Sequence, residues 1–265
     1  MFKTVRYVAS RSARLPVAVI GVMALTACQA AHTPQSPPPT PSPEQAAYRH
    51  FLTQFQTMVG EQMLGANKER AVGARKLVIT FDRSNAILSC HAASAKAPLV
   101  SAMPTAKERR DAERLGTLID RECWKVIYPL VPEHFFNEQG TVELVAPMIF
   151  PPTHAERQEA RVLRRAQSDF FWQQLMIDRP VDSVGRATFR VQADALGNVQ
   201  NCLVSLEPVH VRRDAFKLDN PWQTLLTQQC KRLKLQHMPG FTQNEDWRTY
   251  ATVVVEYAPW KVGRQ

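Results

Sequence analysis

The chain is poor in the groups from which most enzyme sites are built. Its ten glycines form no G-x-S-x-G, G-x-G-x-x-G or P-loop pattern, so the strand-to-helix turns of serine hydrolases, dinucleotide binders and NTPases have no counterpart. Seven histidines are spread without an H-x-x-x-H pair, and no two of the five cysteines stand at metal-ligand spacing. His91 beside Cys90 is the one pairing that resembles an activated thiol; a histidine next to a disulfide explains it more simply. No basic stretch interleaves with aromatics, which argues against nucleic-acid binding. The sequence leads us to expect no catalytic residues, no metal and no cofactor. Long apolar runs are also missing: the longest spans 13 residues, Leu15 to Ala27, where a membrane-spanning helix takes about 20.

Acid is absent before Cys28, while Lys3, Arg6, Arg11 and Arg14 precede the apolar run. A basic start, a short apolar core and small residues at its end describe an export leader. Leu25-Thr26-Ala27-Cys28 resembles the bacterial lipobox. That resemblance implies cleavage before Cys28 and acylation of its sulfur and amine, with residues 1–27 removed and two or three acyl chains holding the protein on a membrane. Gln29 stands where the inner-membrane retention signal of that family has Asp, which implies an outer-membrane anchor facing the periplasm of a Gram-negative cell. Loss of four basic residues from the formal +9 leaves about +5, an ordinary charge for such a protein. Six prolines between Pro34 and Pro43 then favour an extended spacer over residues 28–42, at about 3 Å per residue.

The remainder repeats itself. VGARKLVITFDRSNAILSC, from Val72 to Cys90, and VGRATFRVQADALGNVQNC, from Val184 to Cys202, both open on Val-Gly and both reach a cysteine 17 residues after the glycine, an offset of 112. Blocks around Cys123 and Cys230 match at an offset of 107, and the closing segments TVELVAPMIF (141–150) and ATVVVEYAPW (251–260) are both rich in strand formers. Residues 43–151 and 152–265 therefore read as two copies of one unit, each helix, strand, turn, strand, helix, strand.

Local patterns support that order. Ser42-Pro43-Glu44-Gln45 is a capping box with proline at the first helical position. Tyr48, Phe51, Leu52, Phe55, Met58, Val59 and Met63 follow at helical spacing. Thr153 with Glu156 reads as the second copy's cap, ahead of Val162, Leu163, Ala166, Phe170 and Met176. Leu77, Ile79 and Phe81 alternate onto one strand face, as do Ala187, Phe189 and Val191. KERRDAERLG (107–116) reads as a solvated helix face, and RVLRRAQ (161–167) as the one basic cluster. Antiparallel strands with helices on one face give an α+β fold of two tandem small sheets, each covered by two helices. An oxidising compartment turns paired thiols into disulfides. In each copy one cysteine closes the second strand and its mate lies in the middle of the next helix, so we expect Cys90 with Cys123 and Cys202 with Cys230.

Residues 184–260 resemble the C-terminal domain of the TonB family, through VGRATFRVQADALGNVQNCLVS, LDNPWQTLLTQQC and TYATVVVEYAP. Residues 72–150 resemble it more loosely, through Gly73, Asn85, Cys90, Cys123 and the last strand. The resemblance implies a periplasmic protein-interaction module that captures an extended segment of an envelope protein by strand addition. A lipid anchor in place of a membrane helix departs from the family's force-transducing members. Pro147 blunts the first closing strand, so the expected acceptor edge is Thr252, Val253, Val254, Val255, Glu256 and Tyr257. The alternative is a structural lipoprotein that contacts peptidoglycan or forms a scaffold.

Overall fold

In a computed structural model, residues 42–95, 107–152, 154–242 and 249–263 are described. Cys28, the proline-rich spacer and Thr153 lie outside them. Helix α1 (Pro43–Ala66) starts as its sequence dictates: the Ser42 hydroxyl accepts from Gln45 N, and the Gln45 side chain accepts from Ser42 N, both at 3.2 Å. Strands β1 (Gly73–Asp82), β2 (Ile87–Ser94) and β3 (Thr141–Phe150) form an antiparallel sheet of order β2-β1-β3, with α2 (Lys107–Glu122) between the last two in sequence. The second copy repeats this with α3 (Ala155–Leu175), β4 (Gly185–Ala193), β5 (Val199–Glu207), α4 (Asn220–Cys230) and β6 (Thr249–Tyr257), in a sheet of order β5-β4-β6. The fold is α+β, two three-stranded antiparallel sheets with their helices.

The duplication is legible in backbone detail. Each hairpin carries a β-bulge on its way into the turn, between Thr80 and Phe81 and between Gln192 and Ala193, an offset of 112. Each turn is organised by an aspartate: Asp82 Oδ1 accepts from Ala86 N at 2.9 Å, and Asp194 Oδ1 from Leu196 N and Asn198 N at 2.9 Å. The Ser84 hydroxyl and Ala86 amide hold Asp82 below the usual carboxylate range, and the Asn198 side chain and amide do the same for Asp194. Each turn also has one left-handed residue, Asn85 at φ 62° and Gly197 at φ 79°. Opposite the opening glycines stand Phe150 and Tyr257, so the closing strands match at 107, the offset of the second cysteines. The second closing strand consequently ends at Tyr257, and Pro259–Lys261 forms a 3₁₀ turn instead.

Leu77, Ile79 and Phe81 on β1 and Ala187, Phe189 and Val191 on β4 are buried beneath the helices. The first core holds Phe55, Met63, Leu115, Ile119 and Phe150 as well; the second holds Phe171, Leu175, Leu226, Val253 and Tyr257. The cores adjoin. Val184, Val209, Val211 and Ala258 of the second copy belong to the first cluster, and the Trp260 indole donates to Val126 O at 3.3 Å. The described residues fall within one compact unit, Pro41–Gln265. Gly185 is required by this packing: a Cβ there would stand 2.4 Å from Tyr257 Oη.

Sulfur bridges join Cys90 to Cys123 and Cys202 to Cys230, closing separations of 33 and 28 residues. Their positions differ from the sequence reading. Cys90 and Cys202 sit within β2 and β5, which continue to Ser94 and Glu207. Cys123 follows α2 in a 3₁₀ turn, and Cys230 is the last residue of α4. The helix ends, not the helix middles, cross these strands. Helix α3 begins at Ala155 with His154 as an N-cap that offers no side-chain bond, and it buries Gln158, Phe171 and Leu175. Leu163, expected inside, is exposed. The first half of α3 packs on α1 rather than on a sheet, so its inward side is polar. Within 107–116, Asp111 is only 5% exposed and accepts from Val72 N at 3.3 Å, so that segment is not solvated throughout.

Replacing Cys202 and Cys230 together by alanine should lower unfolding stability by about 3–4 kcal/mol, the loop-entropy value for a closure of this length, read from urea midpoints at constant slope. Gly185→Ala should cost about 1–3 kcal/mol by overpacking against Tyr257.

Candidate functional site

Two three-stranded sheets present four edges, and strand register decides which backbone groups point outward at each. In β2, the outward residues are Cys90, Ala92 and Ser94, and the Ala92 amide donates to Asp120 Oδ1 at 2.6 Å. In β5 the matching residues are Cys202, Val204 and Leu206. Val204 is 1% exposed and Cys202 2%, out of reach of a partner strand. In β3 the outward set is Val145, Pro147 and Ile149. Val145 and Ile149 are each 52% exposed, but Pro147 between them has no N–H to give.

The fourth edge is β6. Thr252, Val254 and Glu256 point away from β4, while Val253, Val255 and Tyr257 face the core. Val254 is 42% exposed. Its carbonyl accepts from the Ser168 hydroxyl at 2.7 Å, and the Glu256 carbonyl accepts from Lys261 Nζ at 2.6 Å. This edge forms one wall of a cleft of about 560 Å³ whose other walls are α1 and α3. The sequence-expected residues Val254, Val255 and Glu256 line it. Val253 and Tyr257 do not; they are core residues. Two of the carbonyls on this edge already hold side-chain donors.

Lys261 reaches this place because the chain turns back through the 3₁₀ segment after β6. Its ammonium lies 5.4 Å from the centroid of Trp172. The residue as a whole is half-buried. Burial pushes its pKa down to about 8, with Arg165 and Lys125 working in the same direction and Glu256 and Asp169 opposing it.

A buried ionic junction closes the far side of the cleft and joins the copies. Glu122 accepts from Gln62 Nε2 at 2.9 Å and Arg121 Nε at 2.8 Å, with Arg165 at 3.2 Å and Lys125 at 3.6 Å. Burial alone would raise the Glu122 carboxyl; the Arg121 hydrogen bond and the charges of Arg165, Lys125 and Arg121 outweigh it and hold the group below its usual range. Arg165 also donates to Gln62 Oε1 at 2.5 Å and pairs with Asp169 at 2.8 Å. Two turns earlier on α3, Gln158 donates to Leu64 O at 2.7 Å, satisfying the end of α1. The basic cluster of residues 161–167 is therefore split: all three arginines line the cleft, but Arg165 is tied to Glu122, Gln62 and Asp169 while Arg161 and Arg164 are exposed.

Among the described residues, no group of histidine, cysteine or acid could hold a metal ion, and no helix is long and apolar enough to cross a membrane. Compared with protein-family models, curated proteins and solved structures, the chain matches none.

Two site features were missed in the sequence. Ser168 is one serine inside a helix, and Lys261 lies beyond the strand it serves; neither has a local pattern. The alternation of β6 did mark which carbonyls would face outward.

Lys261 sets a pH signature. Between pH 8 and its ordinary value of 10.5, the unfolded chain retains a proton that the folded chain has released, so stability should rise with pH across that window. Lys261→Met should flatten the rise in urea titrations at successive pH values. An unchanged slope in the variant would place the titrating group elsewhere.

Proposed function

We propose that the protein is a lipid-anchored module of the bacterial envelope that captures an extended segment of a partner protein along β6. In this reading Cys28 carries the lipid, the proline-rich spacer holds the folded part off the outer membrane on its periplasmic side, and the likeness to the TonB C-terminal domain describes the mode of capture. The single observation that carries it is the contrast among the edges. The outward groups of β2, β5 and β3 are met by Asp120, buried, or interrupted by Pro147. Those of β6 open onto a cleft and are met by the hydroxyl of Ser168 and the ammonium of Lys261. A partner strand displaces both donors and moves α3 outward at Ser168, and each carbonyl then trades one hydrogen bond for another. Two backbone ladders already run through each sheet, so the added strand extends an existing pattern.

The fold itself supplies the control for a test. Val254 occupies the position in β6 that Pro147 occupies in β3, 107 residues earlier. Val254→Pro removes an outward amide without breaking the ladder to β4. With a photo-crosslinking residue at exposed Thr252 in the full chain in native membranes, we expect adducts to discrete envelope proteins, reduced at least about tenfold by Val254→Pro with the unfolding midpoint nearly unchanged. Adducts that persist undiminished in the proline variant, or that form only with cell-wall glycan, would overturn strand capture.

A further inference from the structure

Charges along the cleft sort into a settled part and an open part. Glu122 and Asp169 are neutralised by Arg121, Lys125 and Arg165 within the junction described above. Arg161 and Arg164 also line the cleft, are exposed, and among the described residues have no acidic partner. The acids remaining in the lining are Glu61 on α1 and Glu256, whose position on β6 is directly opposite Arg186 of β4.

The direction of α3 fixes where the two free guanidinium groups fall relative to the edge. Ser168 meets Val254, and Trp172, four residues on, lies at the Lys261 ammonium that meets Glu256. Helix and strand therefore run in the same sense here. Four helical residues rise about 6 Å, close to the advance of two strand residues. Arg164, four residues before Ser168, is thus level with Thr252, and Arg161 is a further turn's length beyond it. An extended chain lying against Val254 and Glu256 would carry its next residues past both arginines.

We propose that the captured segment is acidic at one flank: an extended stretch that pairs with Val254 and Glu256 and carries carboxylates two to four residues further along, seated on Arg164 and Arg161. This rests on strand capture at β6 and assigns the chemistry of the captured partner. Planar guanidinium groups one helical turn apart match carboxylates on an extended chain, where alternate residues repeat at about 6.6 Å. The arginines contribute charge pairing that the neutral edge lacks, and they select among segments that the backbone alone accepts equally.

The test uses synthetic octapeptides of alternating threonine and valine in which two alternate residues at one terminus, the first and third or the sixth and eighth, are both glutamate or both glutamine, added to the mature chain at low salt. Binding is followed by calorimetry and by exchange protection of the Val254 and Glu256 amides. We expect one glutamate-ended peptide to bind about tenfold more tightly than its glutamine counterpart. That preference should disappear in Arg161→Gln/Arg164→Gln and shrink as salt is raised. Equal binding of glutamate and glutamine peptides, with both amides protected, would overturn the acidic flank and leave strand capture standing. Failure of every peptide to bind or to protect those amides would overturn both. A glutamate preference retained in the double glutamine variant would also sink the assignment to these arginines.

Discussion

Every backbone N–H and C=O that folding removes from water needs a partner, and a small sheet makes this hard, because two of its three strands are edges. Duplicating a three-stranded unit doubles the difficulty to four edges. The protein meets it in four ways. An acid from the end of α2 accepts the Ala92 amide; α4 and the surrounding core bury the outward residues of β5; a proline removes the need for an acceptor on β3; and two side-chain donors reach β6. The second and third are permanent features of the core or the covalent chain; the first and fourth rest on side chains, an exposed carboxylate at β2 and a hydroxyl and an amine at β6. The β6 donors stand at a cleft of about 560 Å³, which is why a functional reading concentrates there.

Divergence of the copies follows from the joint between them. In the first copy, the opening helix α1 buries an apolar stripe, with Phe51, Phe55, Val59 and Met63 all inside. Its counterpart α3 must serve two surfaces at once: the second sheet near Phe171 and Leu175, and α1 near Gln158 and Arg165. Gly65 lies at that approach, where a Cβ would stand in ordinary contact with Arg165 Cβ at 3.5 Å. Glu122 at this joint is ringed by donors from both copies, while the buried Gln158 Oε1 has no hydrogen-bond partner among the described residues. Breaking such a junction from one side leaves a buried charge behind, which is costlier than never having built it. The cleft owes its shape to this constraint, because α3 is held between the two copies by it.

Much of this could be read from residue order. Aspartate, left-handed residue and cysteine recur at a constant interval, so the hairpins and sulfur pairings were legible as duplicated geometry; the closing register was not, because aligning 141–150 with 251–260 sets an offset of 110 where the strands match at 107. What failed to show was long-range and polar. The inward side of α3 has helical periodicity for apolar residues at 162, 163, 166 and 170, but half of that helix faces another helix, and Leu163 ends up exposed. Asp111 hides in a run of mixed charge because its partner, the Val72 amide, lies 39 residues away. Ser168 and Lys261 came from segments with no reason, locally, to approach β6. Alternation finds an edge; only tertiary structure says what guards it.

That guard has an energetic consequence for capture. Exchanging a side-chain donor for a backbone donor leaves the count of hydrogen bonds at Val254 and Glu256 unchanged, so those carbonyls contribute register more than affinity. The outward amides of the same residues add a modest net gain each, typically about 0.5–1.5 kcal/mol, against the cost of ordering the incoming chain, about 1–2 kcal/mol per residue for its backbone. Edge pairing alone over a few residues therefore falls short, and the balance must come from side chains along the cleft. Trp172 offers apolar area and Arg161 and Arg164 offer charge. In the proposed mode of capture the partner is defined by what flanks its paired residues, and the two arginines that the structural junction leaves unused are the groups placed to read that flank.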